Sequence, residues 1–313
     1  MSNLLIIGNG FDISHDMLTS YKNFHEFLQN EYDAIDEENK YVPGINIGHH
    51  GENVLNHESI IGLICCLVNE VASDFLDWSD FEDALGKIDL ISCFDDLPIL
   101  IDSEGDRDFI HESYNNEDRG TELYVALEQI NVYFSKWISS VKLAKHKKKD
   151  FVKLINPQKD IFLNFNYTKT LEELYDCKNV YHIHGVLGEE LLFGHNNKSS
   201  DYSEDNRHVP IGASETLIGI NEMLRKNTET ILNDSMEFFS RLSKINIEKI
   251  YSYGFSFSDI DIIYIQEICN RIDSSKISWY FNDFDSEQKI SCYKSKVLKC
   301  GFNGSFDTYH VNF

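Results

Sequence analysis

Short apolar runs alternate along the chain with segments whose apolar residues recur at helical spacing. The first run, Leu4 to Ile7, ends at Gly8, and a helical pattern follows from about Thr19 to Tyr32. Further runs of this kind come after residue 150, at 161–163, 180–183, 191–193, 247–253 and 277–281. Strands that alternate with helices predict a parallel sheet whose ligand site lies at its carboxyl edge.

A helix-rich segment from about 34 to 150 separates the first run from the others. Apolar residues recur at helical spacing over 58–78 and 123–141, whereas 102–119 is strongly charged and predicts a surface loop. We therefore expect an α/β fold, with a parallel sheet flanked by helices and a large helical insertion after the first strand–helix unit. The prediction is one domain over 1–313, in which 34–150 is the insertion and the candidate cover of the sheet edge.

Charge and composition narrow the function classes. The chain has 28 Lys and Arg against 52 Asp and Glu, so its formal net charge is 28 − 52 = −24. Such an acidic surface repels phosphate backbones and anionic lipid, which argues against a nucleic-acid or membrane partner. The N-terminus has no signal-peptide pattern and no apolar run approaches the roughly 20 residues that span a bilayer, so we expect a cytoplasmic protein. The seven cysteines include no Cys-x-x-Cys pair, so neither a disulfide framework nor a zinc site is expected.

The first candidate for chemistry is the turn after the first strand, which reads Gly8-Asn9-Gly10-Phe11-Asp12. Glycines let the backbone turn sharply and approach a phosphate, and the following helix offers the N–H groups of its first turn. Many strand ends carry the same pattern as a plain turn, and the third glycine of a dinucleotide fingerprint is missing. On spacing alone, both interpretations stay open.

The next two strand ends carry an amide and two imidazoles. Asn166 follows the second strand, and His182, His184 and Gly185 close the third. Neighbouring parallel strands would bring the amide and an imidazole to the same rim. We expect the imidazoles to point in different directions, with His184 at the site and His182 away from it. Helix capping by the Asn and packing of the His in a turn are the alternatives.

Two later strand ends complete the set. Gly254 and Ser256 lie at the tip of the strand that ends at residue 253, and Ser258 or Asp259 is predicted as the N-cap of the next helix. His195 closes another strand tip. The other histidines show no spacing typical of a metal site, so no metal is expected. The sequence has no Gly-x-Ser-x-Gly elbow and no P-loop Gly-Lys-Ser, which argues against a serine hydrolase and an ATPase.

Several motifs follow one another in a specific order. They are Leu-Leu-Ile-Ile-Gly-Asn-Gly-Phe-Asp at 4–12, Thr-Ser-Tyr at 19–21, Trp-Ser-Asp-Phe-Glu at 78–82, Phe-Asn-Tyr-Thr at 165–168, His-Ile-His-Gly at 182–185, Phe-Gly-His-Asn at 193–196 and Tyr-Gly-Phe-Ser-Phe-Ser-Asp-Ile-Asp at 253–261. Together they resemble the AbiH family of bacteriophage abortive-infection proteins. In the third motif we expect Trp78 and Glu82 on one helical face, with a core Trp and a solvated Glu as the favoured interpretation. A Glu82 that faces the pocket is the alternative.

The AbiH family in turn resembles, more distantly, sirtuins and sirtuin-like anti-phage NAD hydrolases. That resemblance implies a Rossmann-like, sirtuin-like sheet and an NAD glycohydrolase that cleaves the nicotinamide–ribose bond during infection. It assigns catalysis to Asn166 and His184, and contacts with NAD to the glycine turns and Ser256. The residues expected to bind NAD, with their neighbours at the strand tips, are Gly8, Asn9, Gly10, Phe11, Asp12, Gly185, His195, Gly254, Ser256 and Asp259.

NAD is thus expected as the substrate. The other expected partners are an unidentified phage trigger and either a second copy of the chain or a second defence protein. The protein should be nearly silent before infection, because a constitutive hydrolase would drain a cofactor of central metabolism. Two alternatives stay open: a sensor or adaptor that binds a nucleotide without turnover, and a metal-dependent nuclease. Protein deacylation is not expected, because the paired Cys-x-x-Cys zinc module of protein-deacylating sirtuins is absent.

Overall fold

The computed structural model describes residues 2–32, 40–71, 78–197, 202–203 and 206–311, except for the side chains of Trp78 and Ser79. The strands are β1 (Ser2–Ile7), β2 (Asn46–Ile47), β3 (Asn53–Val54), β4 (Ile161–Asn164), β5 (Val180–His182), β6 (Ile247–Tyr253), β7 (Ser278–Asn282) and β8 (Ser305–Tyr309). The α-helices are α1 (Asn9–Ile13), α2 (Tyr21–Glu31), α3 (His57–Val71), α4 (Trp78–Leu85), α5 (Phe109–Ser140), α6 (Lys149–Leu154), α7 (Thr170–Tyr175), α8 (Ser214–Met223), α9 (Thr228–Asp234), α10 (Met236–Leu242), α11 (Ile262–Arg271) and α12 (Glu287–Lys299). Among the described residues, no helix is both long enough and apolar enough to cross a membrane.

The chain divides into two compact units. The first, here called the sheet unit, comprises Met1–Ser20, Ile138–Leu192 and Asn227–Phe313. The second, the helical unit, comprises Tyr21–Trp137 and Phe193–Lys226. Beside its helices, the helical unit contains the antiparallel pair β2–β3. The single domain with an insertion over 34–150 stays a prediction.

Six strands of the sheet unit form one parallel sheet in the order β5-β4-β1-β6-β7-β8. Counted along this unit, the order is 3-2-1-4-5-6, which is that of the Rossmann fold. The predicted α/β class, with a parallel sheet flanked by helices, is confirmed. The chain leaves β1 toward β4 and β5 and later returns to the other side of β1 with β6, so the strand order reverses between β1 and β6. Ligands of open α/β sheets bind at such a reversal, outside the carboxyl ends of the strands.

Both faces of this sheet are covered by apolar side chains. Leu4 and Ile6 of β1 pack into one core, which includes residues of α10 and α11, and Leu5 and Ile7 pack into the other with Phe11 and residues of α6 and α7. Because side chains alternate along a strand, a strand covered on both faces reads as a continuous apolar run rather than an alternating one. This explains why β1 was recognisable from sequence.

Two local predictions were wrong, and one strand was missed. Residues 191–193 form no strand, and the Leu192 N–H instead donates to the His184 carbonyl at 2.9 Å. The segment 102–119 is a loop only up to Asp108, since α5 begins at Phe109, with the Asp108 carboxylate accepting from the His111 N–H at 3.1 Å. Strand β8 was missed, because an edge strand that is mostly exposed carries few apolar residues.

Candidate functional site

Four of the predicted residues follow four neighbouring strands at the carboxyl edge. Ile7 of β1 pairs with Asn164 of β4 and with Tyr253 of β6, so Gly8 and Gly254 each lie one residue past a paired position. Asn164 in turn pairs with His182 of β5, so Asn166 and His184 each lie two residues past one. These four residues therefore lie at one edge of the sheet, and their convergence on one pocket stays a prediction.

The glycine turns after β1 and β6 pack directly against each other. Gly254 has φ +63°, and a Cβ there would overlap with the backbone of Gly10 and Phe11. A Cβ on Gly10 would lie 2.7 Å from the Gly254 Cα. The N–H of Gly8 donates to the Tyr253 carbonyl and that of Gly10 to the Gly254 carbonyl, both at 3.0 Å. These glycines therefore serve the close approach of two backbones, and two of the N–H groups expected to hold a phosphate are already used.

Asp12, in the first turn of α1, is a buried carboxylate held by two hydroxyls. It is 1% exposed. Its Oδ2 accepts from the Thr168 hydroxyl at 2.5 Å and its Oδ1 from the Thr170 hydroxyl at 2.9 Å. Burial raises the pKa of Asp12 from its ordinary value of 3.8 to about 6, although the two hydroxyls, the Asn166 amide and His182 oppose this shift. Perturbed carboxyls of this kind are concentrated at functional sites.

Because the pKa of Asp12 is raised, the free energy of unfolding is expected to fall as the pH rises through the range in which Asp12 ionises. Between about pH 4 and 6 the folded state binds a proton that the unfolded state has lost, so stability falls as pH rises through this window. The shift corresponds to about 3 kcal/mol. In urea titrations at several pH values, the stability of the wild type relative to Asp12→Asn should fall by about this amount between pH 4 and 7. Parallel curves for the two proteins would contradict the assignment.

Asn166 presents a buried amide at the same edge. The residue is 5% exposed, and among the described residues its side-chain oxygen and nitrogen have no hydrogen-bond partner. The amide lies near enough to Asp12 to lower the pKa of that carboxyl, although no hydrogen bond of normal geometry joins the two groups. The backbone is fixed, because the Asn166 N–H donates to Asn164 Oδ1 at 3.1 Å. A buried amide without partners is costly, and a bound ligand would supply them.

The two imidazoles of the third strand end have different partners. His182 Nδ1 lies 2.9 Å from the Asn166 carbonyl oxygen, and its Nε2 lies 2.7 Å from Glu172 Oε1. This ring also lowers the pKa of Asp12 by its charge. His182 thus contacts the backbone of Asn166, and the expectation that its side chain faces away from the site stays a prediction. His182 supports the Asn166 loop from the side on which Asp12 lies.

His184 is deeply buried rather than exposed on a rim. It is 3% exposed, and its ring packs edge-on against Phe165 and Tyr264. Its Nε2 lies 3.4 Å from Asp261 Oδ1, and the Ser258 hydroxyl donates to the other oxygen of that carboxylate at 3.2 Å. Truncation of His184 would therefore leave a cavity.

The other residues predicted to bind NAD lie in three different environments. Phe11 is fully buried and packs against Phe151 and Tyr253, with ring centroids 5.0 and 5.1 Å apart. The Asn9 amide nitrogen donates to the Thr19 carbonyl at 2.8 Å. Gly185 has φ +84°, and a Cβ there would overlap with the Glu190 carbonyl. The structure thus gives each of these three residues a clear packing, bonding or turn role.

The loop after β6 directs its residues to different sides. Ser256 is exposed. The Asp259 side chain is 92% exposed and forms an ion pair with Lys296 Nζ at 2.8 Å, so it lies on the surface. Helix α11 begins at Ile262 with Asp261 at its N-cap position, so the prediction of Ser258 or Asp259 as the N-cap is wrong. The Ser258 hydroxyl instead accepts from the N–H of Asp261 at 3.3 Å, in the turn before the helix. Phe257, between them, is fully buried with φ +53°, an uncommon conformation for a bulky residue.

His195 belongs to the helical unit and not to the sheet unit. It is 1% exposed, and burial lowers the pKa of its imidazole. Beside it in sequence, the Gly194 N–H donates to the Glu82 carboxylate at 3.2 Å, and Glu82 is ion-paired with Lys226. Glu82 is 3% exposed, so the interpretation as a solvated Glu is wrong. The side chain of Trp78, the other residue of that prediction, lies outside the described residues.

Sequence reasoning missed the partners that give the site its chemistry. Thr168 and Thr170 hold Asp12, Glu172 holds His182, and Asp261 lies beside His184. One signal was available: Thr168 and Asp261 both belong to the motifs that carry the family resemblance. The contacts themselves join segments far apart in the chain.

One of two comparisons with known proteins supports the family resemblance that the order of the motifs indicated. No curated protein is similar to the chain at a significant level. A family model described as bacteriophage abortive infection AbiH matches residues 4–283, which include every predicted site residue. The chain therefore belongs to the AbiH family of bacteriophage abortive-infection proteins.

Proposed function

We propose that this AbiH protein acts in abortive infection by hydrolysing NAD at the bond between nicotinamide and ribose, which depletes the host of the cofactor. The observation that carries the proposal is the buried Asn166 amide, whose two polar atoms have no partner among the described residues. It lies at the carboxyl edge of a sheet in Rossmann order, beside the point where the strand order reverses. Nucleotides bind at this place in folds of this order.

The chemistry required of such a site is modest. The nicotinamide of NAD is cationic and leaves as a neutral molecule when it takes the electron pair of the C–N bond. The protein must then stabilise an oxocarbenium-like ribose and orient a water. The Asn166 amide offers one donor group and one acceptor, which suits a ribose hydroxyl and that water. In this proposal His184 accepts a hydrogen bond from a ribose hydroxyl, and Asp261 orients its ring.

The test is whether NAD is cleaved, and whether Asn166 is required. In infected cells that express the wild-type protein, NAD should fall and nicotinamide should rise, whereas Asn166→Ala should preserve NAD. Purified wild-type protein from infected cells should release nicotinamide from added NAD. Stoichiometric binding of NAD without nicotinamide release would favour a sensor. Nucleic-acid cleavage that requires a divalent metal, with NAD unchanged, would favour a nuclease.

A further inference from the structure

Two hydroxyl groups bind the buried Asp12 carboxylate, and one of them belongs to the loop that carries Asn166. Thr168 and Thr170 each donate to one carboxylate oxygen, and their own hydroxyl oxygens lie 3.0 Å apart. Thr168 is two residues beyond Asn166 on the same loop, and both residues are 5% exposed. The Asn166 amide and the Thr168 hydroxyl thus both interact with the Asp12 carboxylate.

The positions of the hydroxyl protons in this cluster determine in which direction it can transfer a proton. Each threonine hydroxyl carries a single proton and two lone pairs. When Asp12 is ionised, both protons point at its oxygens, so the 3.0 Å contact between the hydroxyl oxygens has no proton of its own. The lone pairs of Thr168 are then available to accept. A proton that arrives at the Thr168 oxygen would let this hydroxyl release its original proton to Asp12 Oδ2, across the 2.5 Å hydrogen bond.

We propose that Thr168 relays the proton of the attacking water to Asp12, which is the terminal proton acceptor of this site. The inference rests on the proposed function, since it assigns a step of NAD hydrolysis. The water oxygen forms a bond to the ribose carbon, and the C–N bond to nicotinamide breaks with its electron pair going to the nitrogen. The water gives one proton to Thr168 Oγ1 as Thr168 gives its proton to Asp12. The products are nicotinamide, ADP-ribose and a proton on Asp12, which later passes to solvent.

The surroundings of Asp12 fit this role. Burial raises the pKa of Asp12 to about 6, so at neutral pH the group is mostly ionised but accepts a proton readily. The groups that face it are the two threonine hydroxyls, the Asn166 amide and His182, and all of them favour the ionised form.

Two isosteric threonine variants provide a matched test. Thr168→Val and Thr170→Val each remove one hydroxyl that donates to Asp12, but only the first interrupts the relay. Thr168→Val should lower kcat for nicotinamide release by about 100-fold or more, and Thr168→Ser should restore most of it. Thr170→Val should lower kcat less than Thr168→Val does, and it should move the acidic limb of the pH–rate profile to higher pH, because Asp12 loses a hydrogen bond that favours ionisation.

The pH profile identifies the acceptor. Wild-type kcat should fall below about pH 6, where Asp12 becomes protonated, and this limb should be absent from the remaining activity of Asp12→Asn. The apparent pKa of a carboxyl limb changes little with temperature, whereas that of an imidazole limb falls on warming, which separates Asp12 from His184. The relay alone would be overturned if folded Thr168→Val turned over as fast as the wild type, or if the acidic limb had the temperature dependence of an imidazole. No nicotinamide release by the wild type before or after infection would overturn the proposed function and the relay with it.

Discussion

Replacement of Lys226 by methionine is expected to lower the free energy of unfolding by about 3–5 kcal/mol. The side chains of Lys226 and Glu82 are 1% and 4% exposed, and the ammonium lies 2.9 Å from Oε1 and 3.2 Å from Oε2. Methionine preserves most of the apolar contacts of the lysine stem, but it leaves the Glu82 carboxylate buried without this counter-charge. Removing one partner of a buried ion pair is costly because the other charge remains desolvated. Urea denaturation of the purified protein measures the loss.

An exposed ion pair at the end of helix α4 offers a matched control, since it joins Asp83 of the helix to Lys87, two residues past its last residue. Lys87 and Asp83 form this pair, and their side chains are 56% and 59% exposed. Lys87→Met should cost less than about 1 kcal/mol. A second control is the double variant Lys226→Met with Glu82→Gln, which should recover part of the loss because it removes both buried charges. Equal losses for the two lysine variants would show that the buried pair has no special importance.

Glu82 also shows why burial of a charged residue is difficult to predict from sequence. The motif at 78–82 is polar apart from its aromatic residues, and such a glutamate is usually solvated. What buries this one is Lys226, which lies 144 residues later in the chain. No periodicity near either residue indicates the other. The structure supplies the pairing, and with it a stability role that the motif alone does not reveal.

The sheet was predictable where local pattern and tertiary environment agree. Strand β1 is buried on both faces and reads as an apolar run that a glycine ends, so its position in the chain followed from sequence. Its place between β4 and β6 came from the structure. The run 191–193 is equally apolar but forms no strand, because its backbone bonds to the turn after β5. Apolar character alone does not distinguish a strand from a loop in these two segments. The distinction depends on which backbone groups lie beside each segment to form hydrogen bonds with it.

The candidate site was predictable as a set of strand ends but not as a network. Asn166 and His184 were identified because they follow neighbouring strands. Asp12 was identified only as part of a glycine turn, and its acid–base character comes from burial and from Thr168, 156 residues away. The geometry also gives the glycines a packing role, whereas their spacing in the sequence left both a plain turn and a phosphate-binding loop open. Gly10 and Gly254 are needed for the contact between two loops.

The second large effect is expected at the Asn166 side chain. Asn166→Ala should lower the rate of nicotinamide release by about 100- to 10,000-fold, since both the water and the ribose lose the group that orients them. Its N–H bond to Asn164 Oδ1 does not involve the side chain, so the loop should keep its conformation. A modest loss of stability is expected beside the loss of rate, because alanine removes a buried amide that favours the ionised form of Asp12. Nicotinamide release and urea denaturation, measured on the same preparations, test both statements.

His184 needs a different substitution, because its burial between Phe165 and Tyr264 means that alanine would leave a cavity. His184→Gln retains most of the volume and should lower turnover by about 100-fold or more. If both residues act on the same ribose, the double variant with Asn166→Ala should cost little beyond either single change. His182→Gln is the control for position: it loses the contact with Glu172 and should reduce stability as well as rate, since His182 supports the Asn166 carbonyl. A folded His184→Gln protein with wild-type turnover would remove His184 from the mechanism, and additive losses in the double variant would assign the two residues to separate steps.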